Sequence, residues 1–337
     1  MTEAAAELPP PGTLHHPVAR QRAVGVAMAI GGALLFSVNG SVSKLALQSG
    51  IDSLSLVLLR SSGAAAVLFL CVLATDRRRL RLSRAELPML LLYGVVGIAM
   101  VQWLYFVAIA RLPVGVALLL EFTGPVLVAL WVHFVQGHRL GRSLWLALGL
   151  ALGGLALVAQ VWSGMTFDFM GVIAGFGAAV SLATYYVAGK NILSNRDTLS
   201  VTFWAFVVAG LFWSLAKPWW TVPWSALTAQ VQLPGSLTLT MDAWVLVAWI
   251  VLLGTVAPFL LVVGALSRLP PAEAGVIGMV EPVLAGAVAW IWLDEALTAV
   301  QVIGSLVVIA GIMVAQRATQ APVQGPSEPT AGRGPQS

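Results

Sequence analysis

The sequence predicts an all-α integral membrane protein: ten transmembrane helices arranged as two inverted-topology five-helix repeats. Three observations carry that prediction. The composition is too apolar for a water-soluble chain, ten apolar runs alternate with short polar breaks, and two sets of residues recur at fixed offsets. Of 337 residues, 59% are hydrophobic and 9% charged, whereas soluble domains hold roughly 45–50% apolar and about 25% charged residues. A hydrocarbon core about 30 Å thick requires ~20 mostly apolar residues per helix. Such runs lie at 23–46, 54–76, 87–110, 113–135, 143–162, 169–190, 199–220, 242–267, 270–293 and 298–317. The apolar stretch that follows residues 1–22 is longer than a secretory signal core and lacks a small-residue cleavage site, so it reads as a retained first helix.

Orientation follows from the basic residues. With the N-terminus in the cytoplasm, Arg20, Arg22, Arg77, Arg78, Arg79, Arg81, Arg84, Arg139, Arg142, Lys190, Arg196, Arg268, Arg317 and Arg333 face inward, and only Lys44, Arg111 and Lys217 face outward. That asymmetry places both termini in the cytoplasm, and the cell (inner) membrane is the expected location. The net charge of +4 comes from these short loops, which form no aromatic-interleaved patch, so nucleic acid is not an expected partner. The lone Cys71 sits inside an apolar run and offers neither a disulfide nor a metal cluster.

Internal duplication organises the chain. Arg111-Leu112-Pro113 precedes a helix containing Pro125-Val126-Leu127, and Arg268-Leu269-Pro270 precedes one containing Pro282-Val283-Leu284, an offset of 157 from Arg111 to Arg268. Gly25-Val26, Gly31 and Lys44 recur as Gly171-Val172, Gly177 and Lys190, an offset of 146 from Gly25 to Gly171. A longer loop near 221–241 accounts for the difference. Five helices per copy is an odd number, so the second copy is inverted in the membrane, as in secondary transporters whose sites lie between the repeats near the midplane. The expected division is a cytoplasmic tail at 1–22, repeat one at 23–162, repeat two at 163–317 and a Pro/Gly/Gln/Ser-rich cytoplasmic tail at 318–337 too polar to fold. Since one chain already holds both halves, a functional monomer is expected.

Charges within the spans are the candidates for chemistry, because each costs about 2.5–3.5 kcal/mol at a helix centre. Glu121 lies slightly outward of the middle of the fourth helix and Glu281 at the middle of the ninth. Pro125 removes the N–H that would bond the Glu121 carbonyl, and Pro282 does the same for Gly278, so both helices are expected to bend beside the repeat axis. In the repeat alignment Glu121 matches Gly278 and Glu281 matches Gly124, and residues three apart share a helix face, so both carboxyls can face one cavity. Burial and a neighbouring cation act on such a carboxyl in opposite senses, and it can trade a proton or hold a substrate amine. The bland reading is that the two acids only satisfy backbone groups or pair with Arg60. Arg60, in the outer part of the second helix, is a candidate partner for a substrate carboxylate or for Glu121. Asn39 and its counterpart Tyr185, with Tyr186, supply hydrogen-bonding groups at matched depths, and Gln102, Trp103 and Tyr105 add an amide and aromatics suited to an amphipathic solute. For any one of these, helix packing is the competing role. Trp219, Trp220 and Trp224 fit an interfacial belt, and Gly31, Gly32, Gly149, Gly153, Gly154, Gly175, Gly177, Gly304 and Gly311 permit close helix approach.

Leu112-Pro113-Val114-Gly115-Val116-Ala117 leading into Leu120-Glu121-Phe122-Thr123-Gly124-Pro125 resembles the EamA-type drug/metabolite transporter (DMT) superfamily and is most similar to its threonine/homoserine exporters. Leu266-Ser267-Arg268-Leu269-Pro270, Gly278-Met279-Val280-Glu281-Pro282 and Leu293-Asp294-Glu295-Ala296-Leu297-Thr298 extend the likeness from about Val24 to Gln316; in the last, Asp294 stands where the family has glycine. The resemblance implies an EamA/DMT-like bundle and export of small polar metabolites such as amino acids, with the proton as coupling ion and no cofactor. Broad-specificity drug efflux, or carriage of a nucleotide-sugar or lipid-linked solute, is the alternative. An ATP-driven pump is disfavoured because Gly189-Lys190 lacks the glycine a phosphate-binding loop requires at Thr184. An enzyme is disfavoured because His15, His16, His133 and His138 lie in the tail or near the inner face, away from any nucleophile.

Overall fold

The computed structural model describes residues 15–109, 111–112, 114–138, 140–161, 168–233, 240–293 and 297–318. Expectations for most of the two tails, for Pro113 and Arg139, for the 162/163 repeat boundary and for Asp294-Glu295-Ala296 lie outside those residues. Among the described residues, ten helices are long and apolar enough to span a membrane. They are α1 (His15–Gln48), α2 (Ser53–Thr75), α3 (87–109), α4 (114–135), α5 (Arg142–Ala159), α6 (Phe169–Ile192), α7 (Thr198–Ala216), α8 (Ala243–Arg268), α9 (271–293) and α10 (Ala299–Ala318). Aspartates set several starts. Asp52 accepts from the Ser55 N–H, Asp168 from Gly171, and Asp197 from Leu199 and Ser200, each satisfying amide groups that the first helical turn leaves unpaired.

The packing is two-fold symmetric at the level of single contacts. A Cβ on Gly25 would lie 3.0 Å from Arg268 Cβ and 3.0 Å from Leu269 Cγ, and one on Gly171 would lie 3.0 Å from Arg111 Cβ and 2.8 Å from Leu112 Cγ. Each pair is the other moved by the repeat offsets. Gly31 against Leu261 and Gly177 against Leu104 repeat the relation, so α1 lies on α8 as α6 lies on α3. The α5–α10 interface crosses the axis and is the most extensive in the bundle. There a Cβ on Gly154 would sit 2.6 Å from the Val308 nitrogen and one on Gly304 2.7 Å from the Gly154 oxygen. Backbones approach this closely only where both helices present glycine.

Besides the breaks in the fourth and ninth spans, several features depart from ten plain helices. The seventh ends at Ala216 and not at 220, because the chain turns out of the helix at Lys217 and Pro218 cannot rejoin it; Trp219 and Trp220 therefore lie in a 3₁₀ turn. The long loop that follows carries a small antiparallel hairpin, β1 (Gln230–Gln232) with β2 (Thr240–Asp242), whose Val231 packs with Val42, Leu45, Ile51 and Leu246 over the last turns of α1 and the first turns of α8. Lastly, α3 and α8 contain wide π-type turns over Leu92–Met100 and Leu252–Val256, and residues 95–99 of the first are the repeat counterparts of 252–256.

Candidate functional site

The fourth and ninth spans are each built from two half-helices. In α4 the first half, Val114–Glu121, stops at the Phe122-Thr123 turn and Gly124–Leu130 continues; in α9 Pro271–Gly278 stops at Met279-Val280 and Glu281–Leu293 continues. Phe122 and Met279 are repeat equivalents. Pro125 and Pro282 occupy the first turn of each second half, where the missing N–H costs nothing and the fixed φ favours a helix start. The Phe122 and Thr123 amides still bond Leu118 and Leu120, and those of Met279 and Val280 bond Val276 and Ile277, so the breaks are tight turns with their backbone largely satisfied.

Glu121 closes one half-helix and Glu281 opens another. Both are half-buried, and their carboxyls lie within electrostatic reach of each other and of the Tyr105 and Tyr186 hydroxyls. Four residues from α3, α4, α6 and α9 are thus brought together from both repeats. The glycines opposite the acids explain why the arrangement is not duplicated. A side chain at Gly278, the counterpart of Glu121, would begin 2.9 Å from the Tyr186 hydroxyl, and one at Gly124, the counterpart of Glu281, would begin 2.9 Å from the Ala179 carbonyl. The fold is two-fold symmetric and the chemistry is not.

The remaining candidates fall elsewhere. Asn39 rests on Gly254 and Tyr185 on Gly97, contacts related by the repeat, each against the wide turn of the neighbouring helix. Tyr185 stacks on Tyr93 with ring centroids 5.5 Å apart, and both hydroxyls are buried without a hydrogen-bond partner of normal geometry. With Phe36, Phe206 and Phe259 these rings form an aromatic layer spanning five helices. Gln102 donates to the Ile98 carbonyl at 3.0 Å and leaves its Oε1 unpaired. Trp103 is 37% exposed and lines a cleft of about 150 Å³ with Ser53, Leu54, Phe106 and Arg111, apart from the acids. Arg60 makes no ion pair with Glu121; its guanidinium turns to Thr255 and Gly254 of α8.

One feature at the end where α1 begins and α10 finishes escaped the sequence reading. Arg22 of α1 bonds the carboxylate of Glu273, a 1%-exposed residue at the start of α9, at 2.6 Å, and the Gln316 carbonyl of α10 at 2.8 Å. Lys190 joins that end by donating to the Leu266 and Leu269 carbonyls at 2.8 and 3.1 Å. The repeat counterpart of Arg22 at the opposite end is Asp168, whose distance to Arg111 is 3.9 Å with both side chains more than 40% exposed. Glu273 carried no signal as a partner, since the residue facing it is 251 positions away.

Comparison with known proteins bears on this geometry. A family model described as the EamA-like transporter family matches residues 23–160 and again 169–316. The threonine/homoserine exporter RhtA of Escherichia coli K12 is 30% identical over 236 residues, covering 70% of this chain and 73% of that one. The same exporter from Salmonella typhimurium LT2 is 29% identical over the same length. The pseudopaline exporter CntI of Pseudomonas aeruginosa PAO1 is 30% identical over 188 residues, or 56% and 64% of the two chains. A chain of known crystal structure superposes with a TM-score of 0.71 over 89% of this chain and 99% of its own at 19% identity, which speaks to the fold alone.

Proposed function

The chain belongs to the EamA-like transporter family, and from that premise we propose that it is a secondary active exporter in the inner membrane, moving small polar metabolites, such as amino acids of the threonine and homoserine kind, in exchange for protons. The observation that carries the reading is the meeting of Glu121 and Glu281 at the two helix breaks, beside Tyr105 and Tyr186. Two negative charges held together in a low-dielectric interior repel, and the strain is relieved by a shared proton or by the ammonium group of a solute. A site that accepts either, but not both, couples the two flows. The breaks supply the moving parts: rocking one repeat on the other exposes the pair to alternate sides, and the half-helices allow α4 and α9 to bend at the level of the acids. Relatives named as amino-acid and pseudopaline exporters support the direction and the solute class.

Proteoliposomes loaded with labelled threonine or homoserine test this. An imposed proton gradient is expected to accelerate efflux, and Glu121→Gln to abolish that acceleration, lowering the gradient-driven rate at least tenfold while leaving gradient-free exchange measurable. Wild-type efflux of every amino acid tried that ignores the gradient would overturn proton coupling.

A further inference from the structure

Arg60 is a cation inside the membrane that no carboxylate among the described residues neutralises. It sits in α2, eight residues past the capping Asp52, and is 6% exposed. Its Nε donates to Thr255 Oγ1 at 3.1 Å and its Nη2 to the Gly254 carbonyl at 3.2 Å. Thr255 is itself fixed, its hydroxyl donating to the Ile250 carbonyl at 2.8 Å. Both partners of Arg60 are neutral, so the π-type turn at Leu252–Val256 orients the guanidinium without cancelling its charge. Among the described residues Arg60 takes part in no ion pair, and neither Glu121 nor Glu281 lies within its electrostatic reach.

Intramembrane charges normally face a partner, and a guanidinium has five N–H donors. Among the described residues Nη1 makes no hydrogen bond. Asn39 converges on the same turn from α1: its side chain lies so close to Gly254 that a Cβ there would sit 2.0 Å from Asn39 Oδ1. Among the described residues the Asn39 amide nitrogen likewise makes no hydrogen bond, while its Oδ1 accepts from Ser43 Oγ at 3.5 Å. Two uncommitted donor groups, one charged and one neutral, therefore meet at one irregular turn. That donor set matches a planar, singly charged oxyanion, which an arginine fork engages through two parallel bonds. A dianionic phosphate would keep one charge unmatched.

We propose that Arg60, held by the wide turn of α8 and assisted by Asn39, is the receptor for the carboxylate of the transported solute. The proposal rests on the transport reading but not on the acid pair, and it narrows the solute class to carboxylates.

The test measures binding to purified protein in nanodiscs at pH 7, by ligand-dependent thermal shift, for threonine, homoserine and aspartate against the corresponding methyl esters (the dimethyl ester of aspartate). The ester keeps the amine and removes the anion. For at least one pair the wild type is expected to bind the acid ten- to a hundredfold more tightly, the range for a charge-assisted hydrogen bond. Arg60→Gln should bring acid and ester within about twofold. Arg60→Lys, which keeps the charge and loses the fork, and Thr255→Val, which frees the fork, should each lose at least threefold of the preference; they carry the test if Arg60→Gln does not fold. Equal wild-type affinity for acid and ester in every pair, full preference in any of these variants, or stabilisation by inorganic phosphate in place of the acids would overturn the assignment. Failure of the proton gradient to drive efflux, with the acid preference intact, would instead remove only the role of Glu121 and Glu281.

Discussion

Gly278 and Gly124 show how single positions decide where the acids can be. An added methyl at Gly278 meets the end of a side chain, the Tyr186 hydroxyl at 2.9 Å, whereas at Gly124 it meets backbone, the Ala179 carbonyl at 2.9 Å. Tyr186 can shift and the α6 backbone cannot. Gly124→Ala is therefore expected to cost about 1–3 kcal/mol of stability, the usual penalty for overpacking, and Gly278→Ala less. Melting temperatures in detergent check the order, and a reversed order would contradict the stated contacts. Glu86 provides a second case, outside the membrane. Its carboxyl takes hydrogen bonds from the Arg196 side chain and the Ser83 amide, which together outweigh partial burial and hold it at about 2, below the ordinary 4.5. A lowered folded value means the stabilisation is fully present above the unfolded value and is lost as pH falls through the folded one. Wild type should thus melt above Glu86→Gln at pH 7, with a gap that starts to shrink below about pH 4.5; a gap unchanged down to pH 3 would argue that the ion pair does not act as described.

Among the elements, α5 and α10 depend on small residues on one face only. A Cβ at Gly154, Gly304 or Gly311 would meet the facing backbone within 3.0 Å, while Gly149 and Gly153 have nothing within 4 Å. Gly154→Ala should destabilise by about 1–3 kcal/mol. Gly149→Ala and Gly153→Ala should be neutral or mildly stabilising, since alanine is the better helix former. Thermal unfolding of the three variants separates an interface role from a general dislike of substitution. The π-type turns belong to this scale too. Asn39 and Tyr185 each press on the glycine within one of them, Gly254 and Gly97, and widened turns of this kind recur at functional sites.

Over the whole molecule, the two membrane faces differ. The end where α1 begins and α10 finishes is held by Arg22, Glu273 and Gln316 and backed by the layer of Tyr93, Tyr185, Phe206 and Phe259. The opposite end has the longer, exposed Arg111–Asp168 contact at 3.9 Å. Removing one partner of a buried ion pair costs about 3–5 kcal/mol because the other charge is stranded. Arg22→Gln is accordingly expected to weaken that end. In a Cys71→Ser background, labelling of a cysteine placed at half-buried Leu118 by a reagent applied from the Arg22 side should rise severalfold. No rise would mean that the Arg22–Glu273 pair braces the fold without gating it. A reporter fused to the C-terminus and active only in the cytoplasm tests the orientation inferred from the basic loops.

Sequence alone determined the number of spans, their approximate limits and the inverted duplication, because each is written in local terms: apolar runs as long as the bilayer is thick, and motifs that recur with two offsets. It also singled out Glu121, Glu281, Pro125 and Pro282, since a charge or a proline inside a span is conspicuous without coordinates. The tertiary structure alone decided which groups meet. Arg60 turned to Thr255, 195 residues away, and not to Glu121, and Glu273 found Arg22 across 251 residues. The hairpin at Gln230–Asp242 and the wide turns of α3 and α8 were equally illegible, because three-residue strands and one or two altered helical turns leave no periodic pattern. Partner choice inside a membrane depends on how helices rotate and bend against one another, and that is settled by close contacts such as Gly254 on Asn39 and Gly154 on Val308, which no hydropathy pattern encodes.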